Sequence, residues 1–199
     1  MGVLKSNAVP VGIVLLLGPL VLYGLAQSHV AGMVVPIGAL AHAAEVFQED
    51  TGGKVLEIRL ADIVGAPGFE AALLKNGGVL YMRIASPDAH VTEIDVKSLP
   101  PWLLNYHLEA YSRSAEKAQV PIEVAIAKAE KRNDAPAIDA GIAKPLGGDN
   151  AVLAYFVETL NGSRRDDLAV DATTGVFIEN PQSLFDTHTP VELARRLAP

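Results

Sequence analysis

The chain has no cysteine, which removes disulfides, thiol nucleophiles and cysteine-ligated zinc together. It has no excess of cations either. Its 16 Lys and Arg stand against 23 Asp and Glu, a formal charge of −7, whereas a phosphate-binding surface needs clustered Lys and Arg. No nucleic-acid partner is expected. Only 20% of residues are charged and 50% are apolar, a balance that builds a core rather than a disordered chain. No Gly-x-Ser-x-Gly occurs, so no activated serine is signalled. The five histidines, His29, His42, His90, His107 and His188, never stand as His-x-x-x-His or His-Glu-x-x-His, the spacings that put two ligands on one helix face. Gly147-Gly148 lacks the Lys-Ser/Thr of a phosphate loop. The expectation is no catalytic residue, no cofactor and no metal.

The acidic pairs are read as surface charge. Glu49-Asp50 closes a helical stretch, and Asp166-Asp167 lies beside Arg164-Arg165 in a strand-like one. Acid–base chemistry wants carboxylates converging in a cleft with separated pKa values. Neighbours along a strand point to opposite faces. Lys128, Glu130, Lys131 and Arg132 read as the solvated side of a helix.

What is present begins with a targeting segment. Lys5 precedes residues 8–26, which carry no charge, and Gly24-Leu25-Ala26 offers small residues before Gln27. A positive start, an apolar stretch and small residues make a secretory signal. The same stretch is long enough to anchor the chain in a bilayer. Residues 1–26 are therefore expected to be a signal peptide or a membrane anchor. The rest is expected outside the cytoplasm, periplasmic or secreted, touching a membrane only through residues 8–26.

Two segments then begin alike. Pro36-Ile37 is followed by Leu40, Ala41 and Ala44, and Pro121-Ile122 by Ala125, Ile126 and Ala129. Each is an i, i+3, i+4, i+7 stripe, one buried helix face, opened by a proline whose missing N–H costs nothing there. Val96 follows Tyr81 at the distance at which Val170 follows Tyr155. Leu56, Ile58 and Leu60 alternate with Val55, Glu57 and Arg59, predicting a half-buried strand over 54–60; Ile138, Ala140 and Ile142 alternate likewise. Turn signals lie at Asn76-Gly77-Gly78, Ser86-Pro87-Asp88, Gly147 to Asn150 and Asn161-Gly162. Asn161-Gly162-Ser163 matches a glycosylation acceptor but reads first as a hairpin. The fold class expected is α+β: two repeats of a helix packed on a small antiparallel β-sheet, joined by a helix, with each sheet's far face open to water. The modules span 36–99 and 120–180. The joining helix spans 100–119, with Trp102 buried near its start. A tail with a short helix, opened by Thr189-Pro190-Val191-Glu192, occupies 181–199. Residues near 61–75 read as an insertion between the first module's strands.

The second copy closes as Val170-Asp171-Ala172-Thr173-Thr174-Gly175-Val176, after Tyr155-Phe156-Val157 and the Pro121-Ile122 helix. Asp171 can accept backbone N–H bonds just ahead, and Gly175 can take positive φ, so Asp171, Thr174 and Gly175 read as a structural turn motif. These elements resemble the PepSY domain family. The first copy shares Thr51-Gly52-Gly53-Lys54-Val55 with it but has Lys97-Ser98-Leu99-Pro100 after Val96, without Asp or Thr-Gly. The resemblance implies a non-catalytic exported domain that binds and restrains a peptidase or regulates another protein partner. One alternative is a membrane-tethered accessory protein of an envelope complex. A weaker one is a carboxylate-based hydrolase, which needs a cleft gathering acids from both copies.

Overall fold

The computed structural model of the chain describes residues 35–63, 66–84, 94–98, 109–143 and 152–179; of Ala66, residues 94–98 and residues 109–110 it describes the backbone alone. All belong to the unit Val34–Pro199. The signal or anchor segment, Trp102, the Ser86-Pro87-Asp88 and Gly147–Asn150 turns and the C-terminal helix lie outside the described residues. Among the described residues no helix is long and apolar enough to cross a membrane.

The elements run α1 (Ala39–Thr51), β1 (Lys54–Ile63), β2 (Ala66–Lys75), β3 (Gly78–Ile84), β4 (Ile94–Ser98), α2 (Glu109–Lys117), α3 (Ile122–Asn133), β5 (Ala137–Ile142), β6 (Ala154–Asn161) and β7 (Arg164–Asp171). The strands form one seven-stranded sheet in the order β4-β3-β2-β1-β5-β6-β7, and the pairings are antiparallel throughout. The class is α+β. Where two small sheets were expected, β1 and β5 pair through Glu57↔Gly141, Ile58↔Ala140 and Arg59↔Asp139, making one sheet. From this seam the order outward is the same on both sides: a helix precedes the inner strand, and successive strands step toward the edge.

Register sorts the faces, because alternate residues of a strand point the same way. Met82, Ala71, Ile58, Ala140, Val157 and Leu168 pair in succession across six strands and form one apolar row. Helices α1 and α3 touch each other and strands β2, β1, β5, β6 and β7 of this row. They bury Leu40, Ala43, Ala44 and Phe47 of α1, and Ile122, Ala125, Ile126 and Ala129 of α3. At about 25 cal/mol per Å² of apolar area removed from water, this interface is the main stabilising term.

Several expectations are corrected. Ile37 is not on the buried stripe but 57% exposed; Gly38 next to it turns at φ 89° and α1 starts only at Ala39. The supposed insertion is strand β2, paired with both β1 and β3. Tyr81 therefore sits on the third strand from the seam and Tyr155 on the second, and their equal distances to Val96 and Val170 do not mark equal sheet positions. Strand β1 is not half-buried: Val55 and Glu57 are as closed as Leu56 and Ile58, because it lies at the sheet's centre. The helix of the joining segment covers Glu109–Lys117, with Tyr111 and Ala115 buried, and touches β1 and β5. The hairpin expected at Asn161-Gly162 turns one residue later. Asn161 pairs with Arg164, leaving Gly162 (φ 63°) and Ser163 at the centre, and glycine supplies the positive φ that a first central position of this kind requires.

Candidate functional site

The turn after β7 is built around Asp171. Its Oδ1 accepts the N–H of Thr173 and of Thr174, both at 2.8 Å. The Gly175 N–H donates to the Asp171 carbonyl at 2.8 Å, and the Asp171 N–H to the Val176 carbonyl at 2.8 Å. The Thr174 hydroxyl oxygen accepts from the Val176 N–H at 3.4 Å. Gly175 stands at φ 70°. A Cβ there would lie 2.6 Å from Lys128 Nζ, which itself donates to the Gly175 carbonyl at 2.7 Å. The chain then returns along β7 through the Val170↔Phe177 bridge, and Arg132 lies 4.4 Å over the Phe177 ring. Lys128 and Arg132, read as merely solvated, thus dock this turn on α3. The Ala172 carbonyl also accepts the N–H groups of Gln119 and Val120 at 2.9 Å, bracing the segment that leads into α3. Partial burial works against the charge of Asp171, but the amides of Thr174 and Thr173 and the Thr174 hydroxyl outweigh it and hold the carboxyl below its ordinary pKa.

Glu130 corrects a second reading. It is buried, at 2% exposure. Its Oε1 accepts the Ala137 N–H at 3.0 Å, and both its oxygens lie within reach of the Gly38 N–H, at 3.1 and 3.0 Å. One carboxylate thus caps the entry to α1 and the start of β5. The signal was in the sequence, since position 130 continues the 122, 126, 129 stripe.

A cavity of about 270 Å³ opens between α1, α2, α3, β1 and β6. Its polar groups face one another. Lys54 Nζ donates to the Ala115 carbonyl at 3.1 Å, Gln48 Nε2 to Glu123 Oε2 at 3.1 Å, and the Tyr155 hydroxyl to the Val120 carbonyl at 2.9 Å. Burial, and then the charge of Glu123, raise the Tyr155 pKa, so its hydroxyl stays a donor.

The sheet's other face holds a feature that sequence reasoning missed. Arg83, Glu70, Arg59, Asp139, Glu158 and Asp167 pair in succession across β3, β2, β1, β5, β6 and β7, so their side chains form a charged row on one face. The expected wet face is closed at its centre: Glu57 is 1% and Glu70 2% exposed. Arg59 Nε donates to Glu70 Oε1 at 2.6 Å and the Tyr81 hydroxyl to Glu70 Oε2 at 2.5 Å. Arg59 loses hydration, but Glu70, Glu57 and Asp139 overcompensate and raise its pKa. Burial, followed by the charges of Glu57, Glu158 and Glu70 against that of Arg59, pushes Asp139 well above the carboxylate range. Glu158 is raised by burial and held back by Arg165. Each strand's mid-segment charge was visible, but only register puts them in line.

Of the remaining candidates, Glu49 and Asp50 are exposed, and His42 lies 3.7 Å from Glu45 on the outside of α1. Asp166 accepts from Arg164 at 2.8 Å, and Asp167 joins the charged row on the opposite face. His29, His90, His107 and His188 lie outside the described residues. Among the described residues no group of three or more His, Asp or Glu is placed to hold a metal ion.

No family model matches the chain, and no curated protein matches its sequence. A crystal structure of a "putative lipoprotein" from Clostridium difficile 630 is similar at 13% identity and a TM-score of 0.41, over 75% of this chain and 95% of that one. Likeness at that level assigns neither family nor activity.

Proposed function

We infer that the chain is an exported, non-enzymatic binding protein of PepSY-like build, whose two halves are copies of one helix-and-strands module. Its role is to regulate a protein partner outside the cytoplasm, a peptidase being the first class to test. The observation that supports this most is the Asp171–Gly175 turn. The residues that carry the family resemblance are spent on backbone hydrogen bonds and on bracing α3. The matching order of elements outward from the β1·β5 seam supports descent of the halves from one module. In the cavity Lys54, Gln48, Glu123 and Tyr155 engage one another or the backbone, as a structural joint does.

The hydrolase reading needs carboxylates from both halves in an open cleft. The charged row brings Glu57 and Glu70 near Asp139 and Glu158, but the first two are 1% and 2% exposed, beyond the reach of a substrate. General acid–base catalysis requires hydrogen-bond reach to the reacting group.

The test uses the tagged full chain expressed in its own cell. A protein recovered with it from the envelope fraction, whose peptidase activity falls as purified chain is added, supports the reading. Turnover of peptide, ester or glycoside substrates by the purified chain, abolished by Asp139→Asn, overturns it. Mass spectrometry of the mature N-terminus distinguishes cleavage after Ala26 from retention of residues 8–26 as an anchor, and retention favours the tethered accessory role.

A further inference from the structure

The charged row is unevenly balanced. On the first side of the seam the signs alternate, Arg83, Glu70, Arg59; on the second side three carboxylates follow one another, Asp139, Glu158, Asp167. Residues paired across adjacent strands have Cβ atoms about 4.5–5.5 Å apart, and like charges there repel. Glu57 adds a fourth carboxylate, two residues from Arg59 on the same strand face and paired with Gly141 beside Asp139. The cation nearest to Asp139 is shared, since Arg59 makes its 2.6 Å bond to Glu70. Arg165 is bonded to Glu158, at 2.9 Å.

Among the described residues, the charges acting on Asp139 come from Glu57 and Arg59 of β1, Glu158 of β6 and Glu70 of β2. Among the described side chains of the helices that touch β5, none acts on Asp139. Glu130 of α3 holds the amides of Gly38 and Ala137. Lys128 of α3 is bound to Gly175, and Arg132 lies over Phe177; Lys131 is exposed, and Glu123 is bonded to Gln48. His42 and Glu45 of α1 face each other on the outside, and Glu49 and Asp50 are exposed. Arg113, Glu116 and Lys117 of α2 are exposed.

We propose that the β1·β5 seam is a pH-sensitive joint, in which the charge that Asp139 gains as the pH rises is opposed by like charges in register across β1, β5 and β6. The sign follows from linkage. A carboxyl whose pKa is higher in the folded than in the unfolded chain stabilises the fold fully below the unfolded value, about 4. That stability is lost as the pH rises through the folded value. The seam is the place where loss registers, because it joins the halves through three residue pairs only.

Thermal unfolding of the full chain is measured from pH 5 to pH 8 at fixed ionic strength. The wild-type Tm should fall by about 3 °C or more across this range, the shift corresponding to a single proton released over one pH unit in a chain of this size. Asp139→Asn should remove at least half of that fall. If Asp139→Asn does not fold, Glu57→Gln, which removes the carboxylate that acts most on Asp139, should do the same. Amide exchange of β1 and β5 in the wild type, corrected for intrinsic pH dependence, should accelerate with pH more than exchange of β2 and β3. A wild-type Tm independent of pH, an unchanged slope in the folded variant, or exchange that accelerates equally in all four strands overturns the proposal.

Discussion

Arg59 in the β1–β4 half and Arg165 in the β5–β7 half each meet a glutamate, at 2.6 Å and 2.9 Å, but in unlike surroundings. The side chains of Arg59 and Glu70 are 19% and 2% exposed, those of Arg165 and Glu158 40% and 21%. On the apolar face the two halves solve the same problem in the same way, a helix stripe over alternating strand residues. On the charged face they diverge: one half alternates its signs and closes them off from water, while the other lines up carboxylates and opens toward water at Glu158 and Asp167. Packing is thus shared between the halves, and the electrostatics are not. A closed pair is held by its partner, because an unpaired buried charge is costly. A half-open one is held weakly and titrates.

Arg59→Met is the sharpest way to break the comparison. It takes the guanidinium away from buried Glu70, and should destabilise the fold by about 3–5 kcal/mol, read by denaturant unfolding at neutral pH. Adding Glu70→Gln should recover much of that, since the buried charge that Arg59 faced is gone. A loss below about 1 kcal/mol for Arg59→Met would mean that the pair is solvated like its counterpart and that the halves do not differ in this way.

Glu130 ties the halves together from the helix side. Glu130→Ala strands the amides of Gly38 and Ala137, each an unsatisfied donor, and should cost about 2–3 kcal/mol. Glu130→Gln keeps an acceptor and should cost less. Equal losses in the two variants would show that the charge, not the acceptor, matters.

Much of the apolar face was legible in the sequence. The stripe at 122, 125, 126 and 129 is buried in full, and the Asn76-Gly77 turn stands where its residues place it, because helix periodicity and turn chemistry are local. What was not legible depends on partners far along the chain. Ala66-Pro67-Gly68 opens β2 with residues that ordinarily break strands, so the strand was read as an insertion. The β1·β5 seam and the charged row exist only once register is fixed, and no local pattern announces which strand lies beside which. Glu130 was misread for another reason: its charge was weighed above its position on the stripe, although a buried acid with two amides to satisfy is as much a core residue as its neighbours.

At the Asp171 turn the expected losses are smaller. Gly175→Val forces a β-branched residue to φ 70° and toward Lys128, costing about 1–3 kcal/mol. Asp171→Ala should cost about 0.5–1.5 kcal/mol. Because the Asp171 pKa is lowered on folding, its contribution is present above the unfolded value, about 4, and lost as the pH falls through the folded one. Wild type and Asp171→Ala should therefore converge in stability at strongly acid pH. Partner binding should follow folding alone. Full stability with binding abolished in Asp171→Ala would make the carboxylate a recognition group.

The smallest effect belongs to Arg165→Met. The loss should shrink toward acid pH, because burial raises the Glu158 pKa and Arg165 restrains that rise. Without Arg165 the pKa climbs further, so the folded chain holds its proton to higher pH and the linkage penalty grows with pH. By pH 8 the loss should approach the upper end of what half-open pairs contribute, about 0.2–1 kcal/mol. Added salt should shrink it, since an exposed pair is screened over about 10 Å at 0.1 M. Arg59→Met should differ in size and in salt response: a large loss that changes little with salt. Unfolding curves of the two variants, with and without added salt, measure the contrast directly. If the losses of the two variants are equal and respond to salt alike, the difference in exposure between the halves does not govern their electrostatics.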